Sequence, residues 1–136
     1  IKNTDYTQAE GKKNGVLEDN LRKDREVAQI QRDNFRKAFK AGVRMVFGSD
    51  AGVMPHGQVG QQFAVMVQYG MTPLDAIRAA TLTASQALGQ ESDVGQIATG
   101  RYADMVAVEG DPLTNVRLLE APAAVIKGGK RIEPAR

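Results

Sequence analysis

Val43-Arg44-Met45-Val46-Phe47-Gly48-Ser49-Asp50-Ala51-Gly52-Val53-Met54-Pro55-His56-Gly57 is the stretch on which the reading of this chain turns. A short, mainly apolar run enters a Gly-Ser-Asp-Ala-Gly loop, so Asp50 falls where an apolar segment stops. His56, the only histidine, follows in the same loop. Two readings of Asp50 stand at this point. A carboxylate at the end of a buried strand is well placed for chemistry, whereas a loop aspartate also serves as an Asx-turn acceptor for nearby backbone N–H groups. A Ser49–His56–Asp50 triad is disfavoured. Its members would all come from one loop, and no nucleophile-elbow glycine pattern surrounds Ser49.

Upstream, the spacing predicts a helix from Asp19 or Asn20, either of which can cap it, to about Ala41. Gly42 is its left-handed stop. Leu21, Ala28 and Phe35 recur every seventh residue, joined by Val27, Ile30, Ala38 and Phe39, which gives one apolar stripe on a charged helix. Val43–Phe47 then reads as a strand covered on both faces. A helix leading through one glycine into such a strand is an αβ unit of a parallel sheet. In α/β folds functional groups gather at the carboxyl ends of strands, and this favours a functional Asp50. Residues 1–18, polar and containing Gly11 and Gly15, read as loop.

Downstream, Gln58–Tyr69 reads as a second helix stopped by Gly70. Thr72, Pro73 and Asp75 form a helix start with an N-cap, an N1 proline and the third position of a capping box. The helix should run to Leu88 and stop at Gly89, with Leu74, Ile77, Thr81, Ala84 and Leu88 as a core stripe. From about residue 92 helices give way to short strands: Val94–Ile97, Met105–Val108, and a hairpin of Ala123–Lys127 and Lys130–Ile132 around a primed Gly128-Gly129 turn. This divides the chain into an α/β part, residues 1–91, and a small β part, residues 92–136.

Composition narrows the function. Lys and Arg number 18 against 16 Asp and Glu, an excess too small to argue for nucleic acid. The basic excess lies on the long helix among acids, where a solvated face explains it. There are no cysteines, which excludes disulfides and thiolate chemistry and fits a reducing, cytoplasmic setting. No apolar run approaches the ~20 residues a membrane span requires. The first residue is Ile1 and not methionine, so the lack of a visible signal peptide carries little weight.

Several fragments, in order, resemble the carboxyl-terminal third of an amidohydrolase. They are Gly48-Ser49-Asp50-Ala51-Gly52, Pro55-His56-Gly57, Gly70-Met71-Thr72-Pro73-Leu74-Asp75-Ala76-Ile77, Ala79-Ala80-Thr81 and Ala87-Leu88-Gly89. Val94-Gly95-Gln96-Ile97, Gly100 to Val106, Gly110-Asp111-Pro112-Leu113 and Val125 to Lys130 are similar to that family's ending. The likeness is strongest to the imidazolonepropionase-like and Xaa-Pro-dipeptidase (prolidase-like) metal-dependent members.

The resemblance implies a TIM-like (β/α)8 barrel with a small β-sandwich built from both chain ends. Residues 19–41 would be the seventh barrel helix, 43–48 the eighth strand, and residues from about 92 onward sandwich strands. It implies that Asp50 binds a catalytic divalent metal, zinc by preference and one or two ions in all, and carries the proton from the attacking water to the leaving amine. A metal lowers the pKa of its water towards ~7, and a carboxylate in reach can shuttle the proton. Ser49 keeps the hydroxyl of the threonine often found before that aspartate. His56 matches a Pro-His-Gly loop at the barrel mouth and would contact the peptide-like substrate; a packing or capping role is the alternative. The family's other ligands are a His-x-His pair, a lysine or glutamate and two further histidines, and a chain with one histidine lacks that set. The expected partner is therefore the N-terminal remainder of the barrel, with a homo-oligomer possible. The competing expectation is an inert truncated fragment that self-associates or complements a missing half. A standalone small-molecule binding protein has less support.

Overall fold

The computed structural model describes residues 1–52 and 54–132. Val53 and residues 133–136, parts of the segments named above, lie outside the described residues. Among the described residues five α-helices precede a three-stranded sheet: α1 (Lys2–Glu10), α2 (Glu18–Lys40), α3 (Gln61–Gln68), α4 (Pro73–Ala80) and α5 (Leu82–Ala87), then β1 (Met105–Ala107), β2 (Ala124–Lys127) and β3 (Lys130–Ile132). Short 3-10 turns occupy His56–Gln58 and Val116–Glu120.

α2 is the long helix the periodicity predicts, with its start one residue earlier. Leu17 takes the N-cap position without a side-chain cap bond, so neither Asp19 nor Asn20 caps it. Glu18 and Asp19 instead sit in the first turn, where negative charge meets the positive helix end. Leu21 and Ala28 are buried, and Phe35 and Phe39 pack on the core, but Val27 and Ile30 are exposed on the flank of the stripe. At its end the Gly42 N–H donates to the Phe39 carbonyl and the Val43 N–H to the Ala38 carbonyl, with Gly42 at φ +75°. This is the Schellman pattern. Gly70 and Gly89 close α3 and α5 with the same bonds.

Residues 1–18 are not a loop, because α1 fills half of them. It has almost no apolar face and is held to α2 by polar contacts. Thr4 Oγ1 donates to Gln31 Oε1 at 3.0 Å, and Asp5 pairs with Arg32. The Arg32 and Arg36 guanidinium groups in turn lie over the Tyr69 ring of the segment closing α3.

The strand expected at Val43–Phe47 does not form. Its residues carry no regular secondary structure, and every ladder among the described residues is antiparallel. A strand requires a ladder partner, and none of the described segments supplies one here. The Phe47 N–H donates instead to the Ala79 carbonyl at 2.9 Å. Met45 and Phe47 turn toward α3 and α4, where Met66, Met71, Ala76 and Ala79 form the buried core. The Phe47 and Phe63 rings pack together, centroids 4.6 Å apart and planes tilted by 36°.

The expected helix over 58–69 is shorter, a 3-10 turn followed by α3. The helix starting at Pro73 is capped as its sequence requires. Thr72 Oγ1 accepts from the Asp75 N–H at 3.1 Å and donates to Asp75 Oδ2 at 2.6 Å. It breaks at Thr81, whose hydroxyl donates back to the Ile77 carbonyl at 2.8 Å, a bond that bends helices. The expected core stripe is also displaced. Ala76 and Ala79 are buried, whereas Leu74 and Leu88 are exposed. Small side chains on the inner face let the Met45–Phe47 segment approach α4 closely.

Val94–Ile97 is not a strand. The Val94 N–H donates to the Gln90 carbonyl at 3.1 Å, continuing a turn, and Gly95 lies so close to the buried Ser85 that an added Cβ would be 2.3 Å from its hydroxyl. The hairpin forms as expected. Met105 to Ala107 pairs with Ala124 to Ile126, and Val125 to Lys127 with Lys130 to Ile132. Gly128 and Gly129 both adopt positive φ, +56° and +77°, as a type I′ turn requires.

Candidate active site

Asp50 ends the segment that Phe47 ties to α4. It is the one non-glycine residue with positive φ among those described, at +50°. Asp and Asn tolerate this left-handed region better than other L-residues, which pay roughly 1–2 kcal/mol for it. The Asp50 carbonyl accepts from the Gly52 N–H at 2.9 Å and from Asn3 Nδ2 at 3.3 Å. Its carboxylate receives no hydrogen bond from any described residue, and the residue is exposed.

Among the described residues, no backbone N–H donates to the Asp50 carboxylate as an Asx-turn would require. A true Asx-turn occurs at Asp111, whose Oδ1 accepts from the Leu113 N–H at 2.8 Å. Asp104 likewise spends its carboxylate on Lys127 and the Gly128 N–H. At Asp50 the backbone carbonyl closes the turn and the carboxylate is left open to solvent.

His56 begins the 3-10 turn after Pro55 and is exposed. Its carbonyl accepts from the Val59 N–H at 3.1 Å, so the backbone and not the imidazole caps this loop. No described residue hydrogen-bonds its ring. Ser49 is half-buried, and Met54, 2 % exposed, anchors the loop between Asp50 and His56.

The residues that sequence reasoning missed lie on α1. Asn3 reaches the Asp50 carbonyl, and the Lys2 N–H donates to Oε1 of the buried Gln62 on α3 at 3.1 Å. No apolar period marked α1 as a helix, so nothing in the sequence pointed to a contact across 47 residues.

A divalent cation suits the Asp50 carboxylate, an oxygen donor with no competing hydrogen bond from the described residues. The rest of a metal shell is not here: no group of three or more His, Asp or Glu side chains converges among the described residues. A separate apolar cavity of about 480 Å³ lies between α4–α5 and the sheet. Ile77, Ala84, Leu88, Ile97, Tyr102 and Val106 line it, so most of the stripe expected to be core borders open space.

The chain matches the amidohydrolase family over residues 2–132 and belongs to it. It is 35% identical over 120 residues to the ochratoxinase of Aspergillus niger, a match covering 85% of this chain and 25% of that enzyme. Its fold superposes on a crystal structure of a Xaa-Pro dipeptidase with methionine bound in the active site, with a TM-score of 0.85 and 34% identity, covering 98% of this chain and 33% of the other. A prolidase complexed with N-methylphosphonate-L-proline gives a TM-score of 0.87 at 26% identity, covering 97% of this chain and 33% of that one. The chain thus spans a quarter to a third of the length of these relatives.

Proposed function

We propose that this chain is the C-terminal part of a metal-dependent amidohydrolase that hydrolyses C–N bonds in peptide-like or N-acyl amino acid substrates. The single observation that carries the reading is the Asp50 carboxylate, without a hydrogen bond from any described residue and held in a left-handed loop at the end of an apolar segment. Two of the solved relatives are a dipeptidase and a prolidase, with methionine and a phosphonate of proline as their bound groups, which supports small peptide-like substrates.

In this reading α2 is the seventh helix of a (β/α)8 barrel and residues 43–48 its eighth strand, paired with strands outside residues 1–132. Val43 and Val46, 54% and 50% exposed, are the apolar side chains such neighbours would cover. Residues from about 92 onward form part of a small β-sandwich completed by other segments. Asp50 is this chain's ligand to one or two divalent ions, zinc by preference, whose other ligands lie elsewhere.

When bound, such an ion polarises the substrate carbonyl and makes water acidic enough to attack near neutral pH. Asp50 supplies a carboxylate oxygen to receive the proton of the attacking water. It then delivers that proton to the amine nitrogen as the C–N bond breaks and the new C–O bond is complete. His56, exposed six residues on, contacts the substrate from the loop at the barrel mouth.

The second reading, an inert fragment that self-associates, draws on the exposure of Leu88 (70%) and Ile97 (87%). Residues 1–136 alone are inactive in both readings, because one carboxylate does not make a metal site. Steady-state kinetics of the full-length protein on dipeptides and N-acyl amino acids separate them. Asp50→Asn keeps a residue that accepts positive φ and should lower kcat on the order of 10²–10⁴-fold; a near-normal rate removes Asp50 from the mechanism.

A further inference from the structure

We propose that Asn3 is a positioning residue for Asp50, holding the carboxylate-bearing peptide in its left-handed conformation; this rests on the reading of Asp50 as a metal ligand. The Asn3 side-chain amide donates to the Asp50 carbonyl, the same oxygen that accepts from the Gly52 N–H. Positive φ at a non-glycine residue persists only where surrounding contacts over-determine it. Here the two donors converge on one carbonyl, one from within the turn and one from a different element.

Asn3 is itself fixed. The preceding Lys2 N–H donates to Gln62, 6% exposed on α3. Thr4, 7% exposed, bonds Gln31 of α2, and Asp5 pairs with Arg32. Four consecutive residues of α1 thereby contact three different parts of the molecule, and the one facing the Asp50 loop is Asn3. Its Oδ1 is buried without a partner among the described residues. The side chain therefore serves through its NH2 group, and replacing its carbonyl forfeits no hydrogen bond to a described residue.

Outer partners that orient a metal ligand typically contribute 10–100-fold to metal affinity or activity. The 3.3 Å contact is long, so the lower end of that range, about tenfold, is expected. The test is Co²⁺ titration of the metal-stripped full-length protein, followed by the visible absorption of the bound ion, in wild type, Asn3→Ala, Asn3→Leu and Asp50→Asn. Asn3→Leu keeps the bulk and removes the donor. Both Asn3 variants should bind Co²⁺ about tenfold more weakly with an altered absorption band, while the thermal midpoint of the stripped protein stays within a few degrees of wild type. Wild-type affinity and band shape in Asn3→Leu overturn the proposal, as does loss of the fold in both Asn3 variants, which would make the residue a structural support. If Asp50→Asn leaves Co²⁺ binding unchanged, the metal-ligand reading itself fails. If only Asp50→Asn weakens it, that reading stands and the role of Asn3 falls.

Discussion

The Phe47 N–H donates to the Ala79 carbonyl at 2.9 Å and joins the segment that carries Asp50 to α4. Ala79 is 2% exposed, and its small side chain allows the two backbones to meet. The Phe47 ring meanwhile packs, tilted, against Phe63 of α3. Three segments thus converge three residues before Asp50. Phe47→Ala should destabilise the protein by less than the ~3–5 kcal/mol typical of a fully buried phenylalanine, because Phe47 is half-buried. Denaturant unfolding of the variant measures this, and an unchanged midpoint would remove Phe47 from the core.

Gly60 sits where α3 begins beneath the Val116–Glu120 turn. A Cβ there would lie 2.5 Å from the Leu119 carbonyl oxygen and 3.0 Å from the Glu120 Cα. Both are backbone atoms that do not swing aside. Gly60→Ala should therefore cost about 1–3 kcal/mol, read as a lowered thermal midpoint. An unaltered midpoint would mean that the turn moves freely off α3.

The hairpin carries an acid-sensitive tie. The Lys127 ammonium, and then the Gly128 N–H, hold the Asp104 carboxyl below its ordinary value. A carboxyl whose pKa is depressed on folding binds fewer protons folded than unfolded between the two values. Its stabilising contribution is present above the ordinary carboxylate range and is lost as pH falls through the depressed value. Lys127 is well exposed, so the effect is small. Asp104→Asn should flatten the acid limb of the stability–pH curve relative to wild type. Parallel limbs would show that the pair contributes nothing.

How much of this was legible in the sequence depends on what each element rests on. α2 was legible because Leu21, Ala28 and Phe35 repeat at helical spacing, and its end because Gly42 is the residue a Schellman turn favours. α1 was not legible. Its attachment runs through Thr4–Gln31 and Asp5–Arg32, and polar pairs leave no apolar period. Val43–Phe47 has the composition of a strand, but composition does not supply a ladder partner. The α4–α5 stripe misled because burial there follows the small residues Ala76 and Ala79, while Ile77 and Leu88 border the cavity. Asp50 was found from its place between an apolar run and a glycine loop. Asn3 was not, since only the fold brings it there.

His56 offers a kinetic test. Its exposed ring has no hydrogen bond from a described residue, so its removal should leave the fold alone. His56→Ala should raise KM about tenfold on dipeptides, equivalent to ~1.4 kcal/mol of lost binding, with kcat changed only a few-fold. An unchanged KM across several dipeptides would leave the ring without a role in substrate binding.

The most direct test of the central claim is the metal content of the purified full-length protein beside its Asp50→Asn variant, measured by elemental mass spectrometry after exhaustive dialysis. The account predicts one or two divalent ions per wild-type chain and a clear loss in the variant. Equal metal retained by both proteins would contradict it.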